Sequence, residues 1–107
     1  MTQFQNAPAT HLEQVTAKTA TPTSIRIPGM RGDARHYKLS EPIRDWDGNE
    51  YEYVIVSAVS SVWATETYIF PADEQAEVVD WSELDGSYRG GTDHAAALRN
   101  AGYEVTA

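Results

Sequence analysis

One apolar run, residues 51–59, constrains the fold more than any other part of the chain. Its centre, Val54-Ile55-Val56, is β-branched and would be apolar on both faces of a strand. A strand that is apolar on both faces is covered on both, so the run predicts the central strand of a sheet. Asp47-Gly48 comes just before it and is a strong hairpin signal. The partner strand is predicted at residues 37–41.

Two further strands follow in the pattern. The pattern predicts a third strand at residues 65–70, which ends at Pro71, and a short fourth strand at residues 77–81. Pro42 lacks a ladder N–H, which favours an edge position for the first strand. Trp63 falls in the connection between strands two and three, where it is expected to be exposed. Strands in simple succession predict a four-stranded antiparallel meander.

The C-terminal region has the signals of one short helix. Thr92 or Asp93 is expected to cap it, because either side chain can accept a bond from a free N–H of the first turn. The helix is predicted to run through Ala101, with Gly102 in the left-handed position after it. Tyr103 is then expected to fold back on Leu98. The predicted fold class is therefore α+β.

The first 34 residues are rich in Thr, Ala, Gln and Pro and contain few large apolar side chains. Such a segment buries too little apolar surface to offset its ordering entropy. We therefore predict a flexible, disordered N-terminal arm, residues 1–34, and a small α+β domain, residues 35–107. A short extended piece at residues 24–27 is a candidate for the sheet edge. The predicted core is Tyr37, Leu39, Tyr53, Ile55, Ile69, Val78, Trp81 and Leu98.

Composition excludes several classes of protein. The chain has 107 residues, which suits one domain, and no cysteine, which excludes disulfides and thiolate metal sites. No apolar run is long enough for a membrane span, and no signal peptide is visible. A cytoplasmic protein is expected. The acidic turn at residues 45–50 lacks the EF-hand pattern, so neither a metal nor a cofactor is predicted.

Charge is distributed unevenly along the chain. Residues 1–35 hold four basic and two acidic side chains, whereas residues 36–107 hold four basic and fourteen acidic ones. Between Arg44 and Arg89 there is no Lys or Arg, yet eleven acids lie there. Nucleic-acid affinity comes mainly from cationic contacts to phosphate. Direct nucleic-acid binding is therefore not expected.

The first candidate site is an acidic face with a tryptophan in it. Acidic surfaces select basic partners and raise association rates. Alternatively, these acids only keep a small domain in solution and discourage pairing of sheet edges. The residues predicted to bind a partner are Asp73, Glu74, Glu77, Asp80, Trp81 and Glu83.

The second candidate is the glycine-bearing loop, residues 86–92, which leads into the predicted helix, where anions can bind through free N–H groups. It lacks the Lys-Ser/Thr of a phosphate-binding loop, and Asp93 places a negative charge where an anion would lie. The alternative is a plain connection capped by Asp93. Asp93-His94 with a serine could form a catalytic triad, but no nucleophile elbow is present, so no enzyme is predicted. The candidate ligand residues are Tyr88, Arg89, Gly90, Gly91, Asp93 and His94.

Two stretches carry a resemblance to known proteins. The first consists of Tyr-Val-Ile-Val-Ser-Ala at residues 53–58 and Glu-Thr-Tyr-Ile-Phe-Pro-Ala-Asp at residues 66–73. The second consists of Trp-Ser-Glu-Leu-Asp-Gly-Ser-Tyr-Arg-Gly-Gly at residues 81–91 and the C-terminal segment at residues 93–103. Over residues 36–105 the chain resembles small uncharacterised proteins encoded by bacteriophages of mycobacteria and related actinobacteria. The resemblance transfers no catalytic residue. It implies an accessory bacteriophage protein that acts in the host cytoplasm.

Three functions remain open at this point. The first is a protein-interaction module that binds and modulates a host or phage protein through the acidic face. The second is a minor structural or assembly component, in which the arm orders on a neighbouring subunit. The third is a small ligand-binding domain or enzyme that uses the glycine-bearing loop. A homodimer formed by edge pairing or through Trp63 is compatible with the first two.

Overall fold

The structure is a computed structural model and describes residues 17–27 and 32–106. Its elements are strands β1 (Lys18–Pro22), β2 (Asp33–Arg44), β3 (Glu50–Ser60), β4 (Thr65–Ala72) and β5 (Tyr88–Arg89), helix α1 (His94–Asn100) and strand β6 (Tyr103–Val105). The six strands form one mixed sheet in the order β5-β4-β3-β2-β1-β6. Neighbouring strands are antiparallel except β1 and β6, which are parallel.

The predicted central strand is confirmed as β3, which lies between β2 and β4. The predicted hairpin between β2 and β3 is confirmed as well. Asp45 closes it, because its Oδ1 accepts the backbone N–H groups of Asp47 and Asn49, both at 2.9 Å. The turn residues therefore fix the pairs next to the turn, Arg44↔Glu50 and Ile43↔Tyr51.

The two faces of β3 are both buried, but only one of them belongs to the main core. Val54 and Val56 join the cluster that contains Ala97 and Leu98 of α1. Ile55 points to the opposite face and is also 0% exposed. Helix α1 therefore covers the Val54 and Val56 side of the sheet, a choice that the doubly apolar sequence of β3 leaves open.

Strand β2 is longer than predicted, and the inference from Pro42 is wrong. The β2–β3 register jumps from Lys38↔Tyr53 to Ile43↔Tyr51, which leaves extra residues on β2. Pro42 lies among these extra residues, where the ladder is already interrupted and a missing N–H breaks no ladder bond. For this reason β2 can hold a proline and still lie inside the sheet, between β3 and β1.

The predicted fourth strand at residues 77–81 is wrong. Strand β4 continues through Pro71 to Ala72, and beyond it only one isolated bridge forms, Ala72↔Val78. The chain then stays beside β4 irregularly until it pairs with β4 as β5. The edge of β4 is thus covered by a segment with too many residues for a continuous ladder.

The four-stranded meander is corrected to a six-stranded mixed sheet, because strands from both ends of the described chain complete it. Strand β1 comes from the segment predicted to be an arm and pairs with both β2 and β6. Residues 24–27, the predicted edge piece, form no strand. Residues 1–16 and 28–31, the rest of the predicted arm, lie outside the described residues.

The predicted helix is confirmed, with Asp93 as its N-cap. Asp93 accepts the N–H of Ala96 at 3.1 Å, and Ala101 is the C-cap. Gly102 has a φ of +99°, the left-handed conformation expected after a helix. Tyr103 and Leu98 are each 1% exposed and belong to the same buried cluster.

Most of the predicted core is buried. Tyr37, Leu39, Ile55, Ile69 and Leu98 are at most 3% exposed. Tyr53 and Val78 are only partly buried, and Trp81 is 66% exposed, so its assignment to the core is wrong. The reason is the irregular path of the chain beside β4.

Candidate protein-interaction surface

Trp81 lies in a short loop that leaves the edge of β4. The N–H of Val79 donates to Pro71 O at 2.9 Å, and the N–H of Leu84 donates to Ile69 O at 2.8 Å. The two carbonyls are only two residues apart on the outer edge of β4, whereas the N–H groups that donate to them are five residues apart. Residues 80–83, which we call the Trp81 loop, therefore project from an edge that is tied down on either side.

Aromatic contacts hold Trp81 against the sheet. Its ring packs edge-on against Phe70, with the ring centroids 5.3 Å apart and the planes at 65°. Phe70 in turn lies 5.9 Å from Tyr68. Trp81 nevertheless remains 66% exposed, and Val79 beside it is 55% exposed. A large apolar side chain is thus positioned by the fold but not covered by it.

The predicted partner-binding acids lie on both sides of Trp81, and two of them have structural bonds. Asp73 Oδ1 accepts the N–H groups of Gln75 and Glu77, both at 2.9 Å, which closes the turn after β4. Asp80 Oδ1 accepts the N–H of Ser82 at 2.9 Å, which shapes the Trp81 loop. These two carboxylates therefore support the local backbone.

The other three acids, Glu74, Glu77 and Glu83, are exposed. The ion pairs among the described residues involve none of them. The nearest basic side chain along the chain, Arg89, is bonded to Glu66 at 2.8 Å. That hydrogen bond, with the charges of Glu66 and Glu83, raises the pKa of Arg89. The surface around Trp81 therefore carries a net negative charge, because Arg89 is bonded to Glu66 and balances the charge of Glu83 only in part.

His36 attaches the first turn of this segment to the sheet, a role that sequence reasoning missed. It is 1% exposed, and its Nε2–H donates to the carbonyl of Asp73 at 2.9 Å. Its Nδ1 lies 2.8 Å from the hydroxyl of Thr23, and its ring stacks on Tyr53 at 5.2 Å. These partners are far from His36 in the sequence, and only the fold brings them together. No sequence motif could therefore have revealed this role.

In the glycine-bearing loop, most predicted ligand residues have partners within the fold. Tyr88 Oη accepts the N–H of Asp93 at 3.0 Å, so this donor at the start of α1 is occupied. Arg89 pairs with Glu66, and the N–H of Gly90 donates to Thr65 O at 2.7 Å. These bonds fasten the loop to β4.

The remaining loop residues are held in the same way. The carbonyl of Gly91 accepts the hydroxyl of Thr67 at 2.8 Å. His94 is 7% exposed, and its Nε2–H donates to Asp33 O at 2.7 Å. An open cleft of about 380 Å³ lies at the start of α1, lined in part by Arg35 and His94. Because Arg35 is bonded to Asp33 at 2.8 Å, the cleft does not offer a free guanidinium.

Two more tryptophans are exposed, at opposite ends of β3. Trp46 lies in the β2–β3 turn and Trp63 in the β3–β4 turn, and each is 91% exposed. The exposure predicted for Trp63 is confirmed. Val62 beside it is 90% exposed, and Ser61 Oγ closes the turn by accepting the N–H groups of Trp63 and Ala64 at 3.2 Å.

Within residues 17–27 and 32–106, no three His, Asp or Glu side chains are grouped so that they could hold a metal ion. In the same residues, no helix is long and apolar enough to cross a membrane. No protein-family model, curated protein or solved structure matches the chain.

Proposed function

We propose that this protein is a non-catalytic interaction module that binds a basic protein through the surface formed by Trp81 and the acids around it. The single observation that carries the proposal is the state of Trp81, which is 66% exposed yet held edge-on against Phe70. Binding energy at protein interfaces is concentrated in a few aromatic and arginine residues. A tryptophan already held in one position loses little side-chain entropy on binding, which supports this role.

Charge supports a basic partner. Glu74, Glu77 and Glu83 form no ion pair with a described residue, and no Lys or Arg lies between Arg44 and Arg89. A surface of one sign attracts the opposite sign and rejects its own. The resemblance to bacteriophage proteins supports the host cytoplasm as the setting, with a host or phage protein as the target. The proposal requires no cofactor and no direct contact with nucleic acid.

The test is capture of a partner by the full chain, followed by charge reversal. The bait is the tagged protein in lysate of its host, with bound proteins identified at low and at high salt. The variant replaces Glu74, Glu77 and Glu83 with lysine. We expect one stoichiometric partner that the variant loses. Asp73 and Asp80 are left unchanged because their carboxylates bond the backbone of the turns.

A matched control reverses three acids elsewhere, Asp47, Glu52 and Glu104. All three are exposed, and among the described residues their carboxylates form no hydrogen bond or ion pair. This control changes the net charge equally, so it should retain the partner if position matters. Both variants should unfold at nearly the parent temperature, because surface substitutions usually cost little. Equal loss of the partner in both variants, or retention in both, contradicts the proposal.

A second candidate function, an assembly component, is favoured by the Val62–Trp63 turn. Two adjacent apolar side chains, 90% and 91% exposed, can serve as a self-association contact. Sedimentation of the parent, of Trp63→Ser and of a chain lacking residues 1–16 tests this. The deletion stops at residue 16 because β1 begins at Lys18. If all three sediment as the same monomer, the assembly role is excluded.

A further inference from the structure

We infer that the partner presents an arginine side chain to the open indole of Trp81, an inference that rests on the proposed function. A cation placed over an aromatic face is attracted by the ring quadrupole, and tryptophan is the best aromatic acceptor. Trp81 contacts Phe70 within the fold and is 66% exposed, so much of its surface remains available to a partner.

Other rings of this fold already have such a cation. Lys18 Nζ lies 4.6 Å from the centre of the Tyr103 ring, and Lys38 Nζ lies 5.5 Å from that of Tyr53. Among the described cations, none lies over Trp81. The sequence accounts for part of the difference, because Trp81 and Phe70 both come from the stretch without Lys or Arg, and Arg89 on neighbouring β5 is bonded to Glu66. Because no described cation lies over this indole, we assign that position to a cation of the partner.

The carboxylates beside Trp81 favour arginine over lysine. Asp80 uses Oδ1 for the N–H of Ser82, so Oδ2 is open among the described residues. Glu83 follows two positions after Trp81 and is exposed. A guanidinium can stack on an aromatic ring while its N–H groups bond a carboxylate in the same plane. The compact and strongly hydrated ammonium of lysine cannot satisfy both contacts as well. The acids alone would select only positive charge, whereas the indole adds a preference for arginine.

The chain contains three tryptophans, each of which is exposed, and this provides internal controls. Three proteins are made, each with a single tryptophan, by replacing the other two with phenylalanine. Each is titrated at low salt with the blocked peptide Gly-Arg-Gly-Arg-Gly and with versions that carry lysine or citrulline instead of arginine. Citrulline keeps the shape of arginine but has no charge. Tryptophan fluorescence is the readout.

We expect a saturable change at Trp81 with the arginine peptide, a weaker one with lysine and none with citrulline. Trp63, whose neighbours along the chain are Val62 and Ala64 and not carboxylates, should respond to none of them. By calorimetry, Trp81→Leu should bind the arginine peptide about two- to fivefold more weakly than the parent, the range expected for a cation–π contact at an exposed site. Trp63→Leu should bind it as the parent does.

Either of two results overturns the inference: no response of Trp81 at millimolar arginine peptide, or a response of Trp63 equal to that of Trp81. The proposed function is judged separately, by loss of the captured partner on reversal of Glu74, Glu77 and Glu83. If that partner is lost but the fluorescence of Trp81 does not change with the arginine peptide, binding depends on charge alone and the inferred arginine contact is wrong. Correct folding of each single-tryptophan protein is checked by its unfolding midpoint.

Discussion

Replacing Tyr103 with phenylalanine removes one oxygen atom from the largest fully buried side chain. The hydroxyl of Tyr103 donates to the main-chain carbonyl of Glu41 at 2.8 Å, across 62 positions of sequence. The ring stays in place in the variant, so its apolar burial and the contact with Lys18 are retained. What is lost is one hydrogen bond between β6 and the irregular part of β2.

A hydrogen bond of this kind contributes about 0.5–1.5 kcal/mol to the free energy of unfolding. We expect Tyr103→Phe to lose about 1 kcal/mol, which for a domain of this size lowers Tm by about 4–8 °C. Urea denaturation gives the free energy, and thermal denaturation gives the midpoint. The control is Tyr53→Phe, because the hydroxyl of Tyr53 has no hydrogen-bond partner among the described residues. A Tyr103→Phe protein as stable as the control would refute the reasoning.

The same side chain predicts a dependence on alkaline pH. Burial, and then the charge of Glu41, raise the pKa of Tyr103 above its ordinary value. A raised pKa means that the neutral phenol stabilises the folded state fully below the unfolded pKa, about 10. That stabilisation is lost as pH rises through the higher folded pKa. The parent should therefore lose more stability above pH of about 10 than Tyr103→Phe does. Part of the loss should remain in the variant, since burial also raises the pKa of Tyr37.

Three further predictions concern how α1 is held, and urea denaturation measures each. Leu98→Ala should cost about 2–5 kcal/mol, because Leu98 is 1% exposed in the main core; a loss below about 1 kcal/mol would contradict that packing. Asp93→Ala should cost about 0.5–2 kcal/mol through loss of the N-cap, and Asp93→Asn should restore most of it. Gly86→Ala should be strongly destabilising, since a Cβ there would lie 2.7 Å from the carbonyl of Ala97 and φ is +108°; a neutral effect would mean that the chain can shift away from α1.

Local signals predicted the parts of the fold in which few residues decide the backbone. Asp45, Asp47 and Gly48 make the β2–β3 turn through bonds within five residues, so the turn could be identified directly. The same holds for α1, whose cap at Asp93 and end at Gly102 are set by neighbouring atoms. Dihedral preference and short-range hydrogen bonding act without knowledge of the rest of the chain.

The two terminal strands could not be found in this way. Strand β1 has the sequence Lys-Thr-Ala-Thr-Pro, which lacks the large β-branched residues typical of a strand. It is a strand because β2 and β6 lie on its two sides, which leaves Ala20 0% exposed. Strand β6 has only three residues and depends on α1 to bring it beside β1. Pairing of distant segments is decided by tertiary structure.

The candidate surface was predicted only in part. Its acids and Trp81 could be selected from composition, but Trp81 was also predicted to be in the core, and that is wrong. Its exposure follows from the hydrogen bonds of Val79 and Leu84 to β4, which force residues 80–83 outward. No periodicity in those residues encodes this, because the carbonyls that accept the bonds belong to another strand.

The sequence by itself determined the central position of β3, the presence of α1 and its end before Gly102, and the absence of cations between Arg44 and Arg89. These depend on residue type and on neighbours within a few positions. Only the tertiary structure decided that β1 and β6 pair in parallel at one end of the sheet. It also decided that α1 covers the Val54 side of β3 and that Trp81 is exposed to solvent. Each of these is settled by hydrogen bonds or packing between segments far apart in the chain, where local preference has no influence.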